Sequence, residues 1–317
     1  MKNRTIDTVF LCRSPLQARI CLHIIEHNKL KNFDVIYTTQ DNNDLDKSYY
    51  SMLSSKANFS TYVYVTKKSR DIYNHLSGLM KVKRKWPKTI YNNIYIASID
   101  NYIFRYIIKQ NPKATLFGFD DGAANISEFG HYYHLNAYKK AILYSWLLRL
   151  PQPQTIKERL SKHYTIYEGF KNIVPKDKLI TLQVFDSKSS SSNPSDRALT
   201  FFIGQPFHEY LNSKELSILL NWLESQSIDY YVMHPREQKP LIDNIKVLDK
   251  KGLLAEDAIF KNSKDSRTKI ISAYSTVLFN IPPDSAEKIY LSLSNNSAEQ
   301  ERRRLIKRTG SKIIKIF

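Results

Sequence analysis

Cysteine and glycine are scarce in this 317-residue chain, and long apolar runs are missing altogether. The two cysteines, Cys12 and Cys21, lie close together with no zinc-like spacing around them. A reducing compartment fits that usage. The eight glycines are scattered, so neither the dinucleotide fingerprint nor a P-loop can be built from them, which argues against NAD-type dehydrogenases and P-loop kinases. Nucleophile-elbow, zinc and kinase signatures are also missing. No stretch approaches the roughly 18–20 apolar residues of a membrane span. The start, Met1 to Asp7, is basic but runs into an acidic residue instead of the apolar core of a signal peptide. These absences predict a cytoplasmic protein that could touch a membrane only from its surface. Acid is the other shortage: 30 Asp and Glu stand against 48 Lys and Arg, a net charge of +18. Such a balance favours an anionic partner, whether nucleic acid, lipid surface or phosphorylated glycan.

What remains is the pattern of a parallel sheet wrapped by helices. Thr8–Cys12, Asp34–Tyr37, Thr61–Val65, Ile94–Ala97 and Ala114–Phe119 read as strands. Segments near 44–56, 70–82 and 100–110 have helical spacing between them, and Pro15 suits the first position of a helix after the first strand. A helix over Ala137–Leu150, stopped by Pro151 and Pro153, is expected next, followed by strands at His163–Tyr167 and Leu179–Phe185. The serine-rich stretch from Asp186 has no apolar anchor and reads as a linker. This divides the chain into a domain over 1–185, a linker over 186–198 and a domain over 199–317. In the second domain, Leu199–Gly204, Asp229–Met233, Lys269–Tyr274, Lys288–Leu291 and Lys312–Ile316 read as strands, with helices at Lys214–Glu224, Ala255–Lys261 and Ala298–Lys307. At 317 residues, two domains of ordinary size fit. The fold class is α/β.

Two polar motifs fall just past strand ends, where open α/β sheets bind ligands. Asp120-Asp121-Gly122 follows the fifth strand. Two adjacent carboxylates raise one another's pKa and can serve as a general base, ligate a metal or cap a helix; an ordinary capped turn explains them equally well. His234-Pro235-Arg236 follows a strand of the second domain, and its imidazole and guanidinium suit a phosphate, although a lone histidine is often structural. Ser275-Thr276 either caps a helix or helps form an anion site at its start. Glu256-Asp257 complements a helix dipole or binds a ribose. The basic stretches Lys81–Lys85 and Glu301–Arg308 are solvated faces or contacts for an anionic acceptor or lipid headgroups.

Several segments together resemble the lipooligosaccharide sialyltransferases of glycosyltransferase family 52. They are Phe10–Gln17, Ile94–Ser98, Phe119–Ile126, His163–Ile173, Gly204-Gln205-Pro206, His234-Pro235-Arg236 and Tyr274-Ser275, in the family's order and over nearly the whole chain. The resemblance implies a GT-B architecture, two Rossmann-like domains with parallel sheets facing a cleft, the first taking the acceptor and the second the CMP-sugar. It implies metal-independent, inverting transfer of sialic acid from CMP-sialic acid, as co-substrate, to a terminal galactoside of a glycolipid or oligosaccharide, in α-2,3 linkage. No separate cofactor is implied. On this reading His234 contacts the donor phosphate with Pro235, Arg236, Ser275 and Thr276 beside it, Gly204 borders the nucleotide and Glu256 its ribose. Ser14, Gln17 and Gly122 line the cleft. Asp120 or Asp121 takes the acceptor proton. In some members that base is an aspartate directly after the Gly-x-Pro segment; here the position holds Phe207, followed by His208 and Glu209, so these two stay open as bases.

Three other functions remain in view. A relative could transfer another CMP-activated nonulosonic or Kdo-type sugar, and a sugar-nucleotide epimerase can share the two-domain plan. A basic nucleic-acid-binding protein has the charge and 21 tyrosines in its favour but no recognisable binding module, so no nucleic acid is expected. A homodimer and a peripheral contact with the anionic inner membrane are further expectations.

Overall fold

Strands whose residues are buried on both faces belong to parallel sheets covered by helices on each side. The computed structural model describes residues 7–66, 72–86, 89–128, 130–134, 146, 148–185, 195–264 and 266–317. It divides the chain into two compact units, Met1–Val184 and Phe185–Phe317.

In the first unit, β1 (Thr8–Cys12) and β2 (Phe33–Thr39) are buried at every position. With β3 (Phe59–Tyr64), β4 (Asn93–Ile96), β5 (Thr115–Phe119), β6 (Leu160–Thr165) and β7 (Leu179–Thr181) they form one sheet in the order β3-β2-β1-β4-β5-β6-β7. Every pairing in it is parallel. The order reverses between β1 and β4, and the carboxyl ends of those two strands are where such a sheet opens a binding crevice. Helix α1 (Pro15–His27) follows β1 with Pro15 in its first turn and Ser14 as N-cap, the serine accepting from Gln17 N–H at 3.3 Å. Its buried side chains, Gln17, Ile20, Cys21 and Ile24, recur at helical spacing and lie on the sheet. Helices α2 (Asp44–Ser54), α3 (Ile72–Lys85) and α4 (Tyr102–Gln110) complete the alternation. Ile103, Phe104, Ile107 and Ile108 of α4 join Val9, Leu11, Ile94, Ile96 and Leu116 in the core.

The last third of this unit departs from the sequence expectation. Most of Ala137–Leu150 lies outside the described residues. Pro153 starts a helix instead of stopping one: α5 (Pro153–Arg159) has it in the first turn, where its missing N–H costs nothing. β6 accordingly begins at Leu160 and ends at Thr165, two residues short of Tyr167, because Thr165 and Ile166 turn to donate hydrogen bonds to Asp120. The edge strand β7 then pairs only along Leu179–Thr181, since β6 offers it only His163–Thr165.

The second unit holds β8 (Ser195–Ile203), β9 (Tyr230–Val232), β10 (Ser266–Ser272), β11 (Glu287–Ser292) and β12 (Lys312–Lys315) in the order β12-β11-β10-β8-β9, all parallel. The order reverses between β8 and β10. Helices α6 (Ser213–Glu224), α7 (Ala255–Asn262), α8 (Val277–Asn280) and α9 (Ser297–Lys307) intervene. β8 starts at Ser195, so the end of the stretch read as a linker is strand, and residues 186–194 lie outside the described residues.

Both cysteines are buried and free. Burial and the neighbouring Cys12 push the Cys21 thiol well above its ordinary range, which makes it a packing residue and a poor nucleophile. Among the described residues, no helix is long and apolar enough to cross a membrane.

Candidate active site

At the reversal point of the first sheet, three connections converge on one carboxylate. Gln17, in the first turn after β1, is fully buried; its Oε1 accepts from Arg13 N–H at 2.7 Å, while its amide donates to Ser98 Oγ at 3.1 Å and also to Asp121 Oδ1. Ser98, just after β4, donates to Asp121 Oδ2 at 2.9 Å, and Tyr132 Oη donates to the same oxygen at 2.5 Å. Asp121 is only partly buried, so a solvent-borne hydroxyl can reach it while three donors fix its plane. Burial and the Asp121 charge push the Tyr132 phenol well above its ordinary range, which keeps it a proton donor toward the carboxylate.

The adjacent Asp120 has a different environment. It is completely enclosed, and four donors saturate it: His163 Nε2 at 2.9 Å, Thr165 Oγ1 at 2.7 Å, Ile166 N–H at 2.8 Å and Asn172 Nδ2 at 3.2 Å. Of the two carboxylates read together in the sequence, the structure presents Asp121 and encloses Asp120. A buried charge needs this many partners to be tolerated. Gly122 follows with φ +66, a conformation open to glycine without strain, and lets the chain turn into the short 3₁₀ segment Gly122–Asn125. Asn125 Oδ1 accepts from Asp121 N–H at 2.6 Å. Ser14 is occupied as the cap of α1 and supports Gln17.

In the second unit, Gly204, His234 and Ser275 lie one, two and three residues past the ends of β8, β9 and β10, at the reversal point of that sheet and the strand next to it. His234 Nδ1 accepts from Arg236 N–H at 3.1 Å, so the proton of the neutral ring resides on Nε2. Burial, then the charges of Arg236 and Lys250, lower the pKa of His234, so it is a neutral N–H donor at pH 7. Glu237 holds the turn: it accepts from His234 N–H at 2.6 Å and from Tyr231 Oη at 2.6 Å, and burial pushes its carboxyl above the ordinary range.

Gly204 sits against that turn. A Cβ there would overlap the Glu237 carboxylate and the Tyr231 ring, lying 2.7 Å from Tyr231 Oη. Gly204→Ala is therefore expected to cost about 1–3 kcal/mol by overpacking, seen as a lower denaturation midpoint. An unchanged midpoint would show that the turn gives way freely.

The remaining predicted residues divide. Arg236 is exposed and paired with Glu209 at 2.6 Å, so Glu209, at the end of the 3₁₀ segment Phe207–Glu209, does join the His234 turn. His208 is exposed beside it, and Phe207 is buried on Phe202. The side chain at the position where some relatives carry aspartate thus packs into the core. Pro235 and Thr276 are exposed. Ser275 Oγ accepts from Val277 N–H at 3.2 Å; α8 has only four residues, too short for a useful dipole, so the serine contributes a hydroxyl and little helix charge. Tyr274 reaches this bend with φ +43 and lies under the Arg302 guanidinium at 4.6 Å. Glu256 is nearly fully buried and bonds Asn280 Nδ2 at 2.6 Å, with its carboxyl pushed up by burial; the structure does not bring it to a solvent-borne ribose.

Lys250 is the residue that sequence reading overlooks. Its Nζ donates to Met233 O at 3.0 Å, directly before His234, and burial lowers its pKa. It comes from a loop after Leu248 with no periodic signal. Tyr132 is hidden for the same reason, standing in a three-residue 3₁₀ turn. Among the described residues, no group of three His, Cys, Asp or Glu side chains could hold a metal ion.

Comparison with known proteins bears on the family and the fold. The family model of Glycosyltransferase family 52 matches residues 26–293. The chain is 28% identical over 279 residues to N-acetyllactosaminide alpha-2,3-sialyltransferase of Haemophilus influenzae, covering 86% of this chain and 88% of the relative. It is 24% identical over 295 residues to CMP-N-acetylneuraminate:beta-galactoside alpha-2,3-sialyltransferase of Pasteurella multocida, covering 91% and 92%. Among solved structures, the glycosyltransferase of kitacinnamycin superposes with a TM-score of 0.56 at 8% identity, covering 99% of this chain and 87% of that one. UDP-N-acetylglucosamine 2-epimerase superposes at 0.51 with 10% identity, covering 99% and 84%. These structural likenesses concern the fold alone, which is of the GT-B type.

Proposed function

Because the chain belongs to glycosyltransferase family 52, we propose that it transfers sialic acid from CMP-sialic acid to a terminal galactoside in α-2,3 linkage, with inversion at the anomeric carbon. The observation that carries this reading is the likeness, over most of the chain, to proteins named alpha-2,3-sialyltransferases. In this reading the first unit takes the acceptor and the second the donor. The acceptor is the terminal galactose of a lipooligosaccharide or a similar surface glycan.

Asp121 is the base. It accepts the proton of the galactose hydroxyl as that oxygen attacks the anomeric carbon, and the bond from that carbon to the CMP phosphate oxygen breaks. Gln17, Ser98 and Tyr132 hold the carboxylate, so little reorganisation is needed when the proton arrives. His234 donates its Nε2–H to the leaving phosphate. Arg236 and Lys250 supply fixed positive charge there, the role a metal would otherwise fill. Ser275 adds a hydroxyl. Glu209 orients Arg236 through their ion pair.

The test is CMP release from CMP-sialic acid, with and without a lactose-type acceptor. Acceptor-stimulated release is expected in the wild type. In His234→Ala it should fall by about 10²–10³-fold, the usual cost of losing one preorganised donor to developing negative charge. No release with any galactoside would overturn the sialyltransferase reading and direct attention to other CMP-activated sugars.

A further inference from the structure

A second cationic feature lies in the first unit, at the opposite end of its sheet from Asp121. A surface cavity of about 830 Å³ opens between the end of α4, the turn before β5 and α5. Its described lining includes Lys109, Arg149 and Arg159 and no carboxylate. Ile108 and Leu150 give it an apolar floor, and Trp146 stands at it with 71% of its surface exposed. Among the described residues only Ile90 leaves a larger fraction of a large apolar side chain exposed. Cations and an indole together match the boundary of a bilayer, where tryptophan sits at headgroup level and each lysine or arginine gains from anionic lipid.

We propose that this cavity docks the protein on a membrane by taking the phosphate of an anionic phospholipid headgroup. Arg149 and Lys109 hold the phosphate, Arg159 adds charge from the cavity wall, and Trp146 enters the interface beside them. Arg159 is itself anchored on Pro112 O at 2.9 Å, and Lys109 reaches Leu148 O at 3.0 Å, so both cations are positioned by backbone carbonyls, and among the described residues no acid pairs with either. The basic tail helix α9 is less suited to the role. Its Arg302 is bound to Glu299 at 3.1 Å and lies over Tyr274, while Arg303 is bound to Asn295. The location also has a functional consequence. The cavity borders the amino ends of β5 and β6, and Asp121 follows the carboxyl end of β5, roughly 15 Å away along a strand of this length. Docking here leaves the carboxylate clear of the bilayer.

The experiment is flotation of the full chain with vesicles of phosphatidylcholine alone or mixed with phosphatidylglycerol. Two double variants are compared with the wild type, Lys109→Gln with Arg149→Gln and Lys307→Gln with Arg308→Gln. Each removes two positive charges, so the comparison separates place from net charge. The wild type should float only with anionic vesicles. The cavity pair should bind about 25-fold more weakly, roughly fivefold per cation, and the tail pair within about twofold of wild type. Trp146 fluorescence should be quenched by brominated lipid in those vesicles, and that quenching should vanish in Trp146→Phe. If the cavity pair proves unstable, Arg149→Gln alone decides, with a fivefold loss expected. Equal losses in the two pairs, absence of flotation at low salt, or binding of inorganic phosphate without vesicle binding would each overturn the assignment.

Discussion

Asp121→Asn should reduce acceptor-stimulated CMP release by about 10²–10⁴-fold, the range a positioned general base contributes. The amide keeps the size of the carboxylate and one carbonyl acceptor for the surrounding donors, and Ser98 and Tyr132 can rotate their hydroxyls to accept from its NH₂ group. The fold should therefore survive, with a denaturation midpoint close to wild type. The loss should appear in kcat, with KM for CMP-sialic acid nearly unchanged, because the donor groups belong to the other unit in the proposed assignment. Full activity in Asp121→Asn would remove it as base. Glu209 and His208, exposed beside His234, would then be the next residues to replace.

Its immediate neighbour should fail in the opposite way. Asp120→Ala removes the shared acceptor of His163, Thr165, Ile166 N–H and Asn172 at a site with no exposure to water. The stranded donors should cost on the order of 3–5 kcal/mol, as breaking a buried charge network does. Domains are stable by only about 5–15 kcal/mol, so the variant should be largely insoluble or melt far below wild type. Asp120→Asn, which retains one acceptor oxygen, should fall between. A midpoint unchanged in Asp120→Ala would mean that water enters and satisfies these donors. Taken together, the adjacent substitutions separate chemistry from folding within one dipeptide.

That separation could not be read from the sequence. Spacing placed both aspartates at the end of a strand, and the structure agrees, but two successive residues beyond a strand point to different sides. Which side is enclosed depends on what arrives from residues 163–172. The motif His163–Ile173 is in large part the shell of Asp120, so its resemblance to the family marks a built interior more than a ligand contact. Strands were legible wherever they were apolar runs bounded by polar turns, as β1, β2, β4, β5 and β11 are. Legibility failed where tertiary contacts set the boundary. β6 ends early because Thr165 and Ile166 serve Asp120, and Pro153 is ambiguous because proline starts a helix as readily as it stops one. Ser275 does precede a helix, but that helix is a single turn, which no pattern of four residues can announce. Glu256 looked like a first-turn carboxylate and is one, yet its burial on Asn280 depends on a helix 24 positions away. Lys250 and Tyr132 came from irregular segments where periodicity carries no information.

Fold alone would not have chosen the reaction. A glycosyltransferase and an epimerase both superpose on this chain across nearly its full length, so the distinction rests on the family match and the curated relatives.

The enclosure of Asp120 also has a consequence in time. A ribosome delivers β5 well before the residues that bond the aspartate: the donors at 163, 165, 166 and 172 follow 43 to 52 positions later. Until they emerge, β5 is an open edge beside β4, with its carboxylate in water, and unpaired strand edges are where growing chains associate wrongly. A charged terminus on that edge is a guard against such pairing.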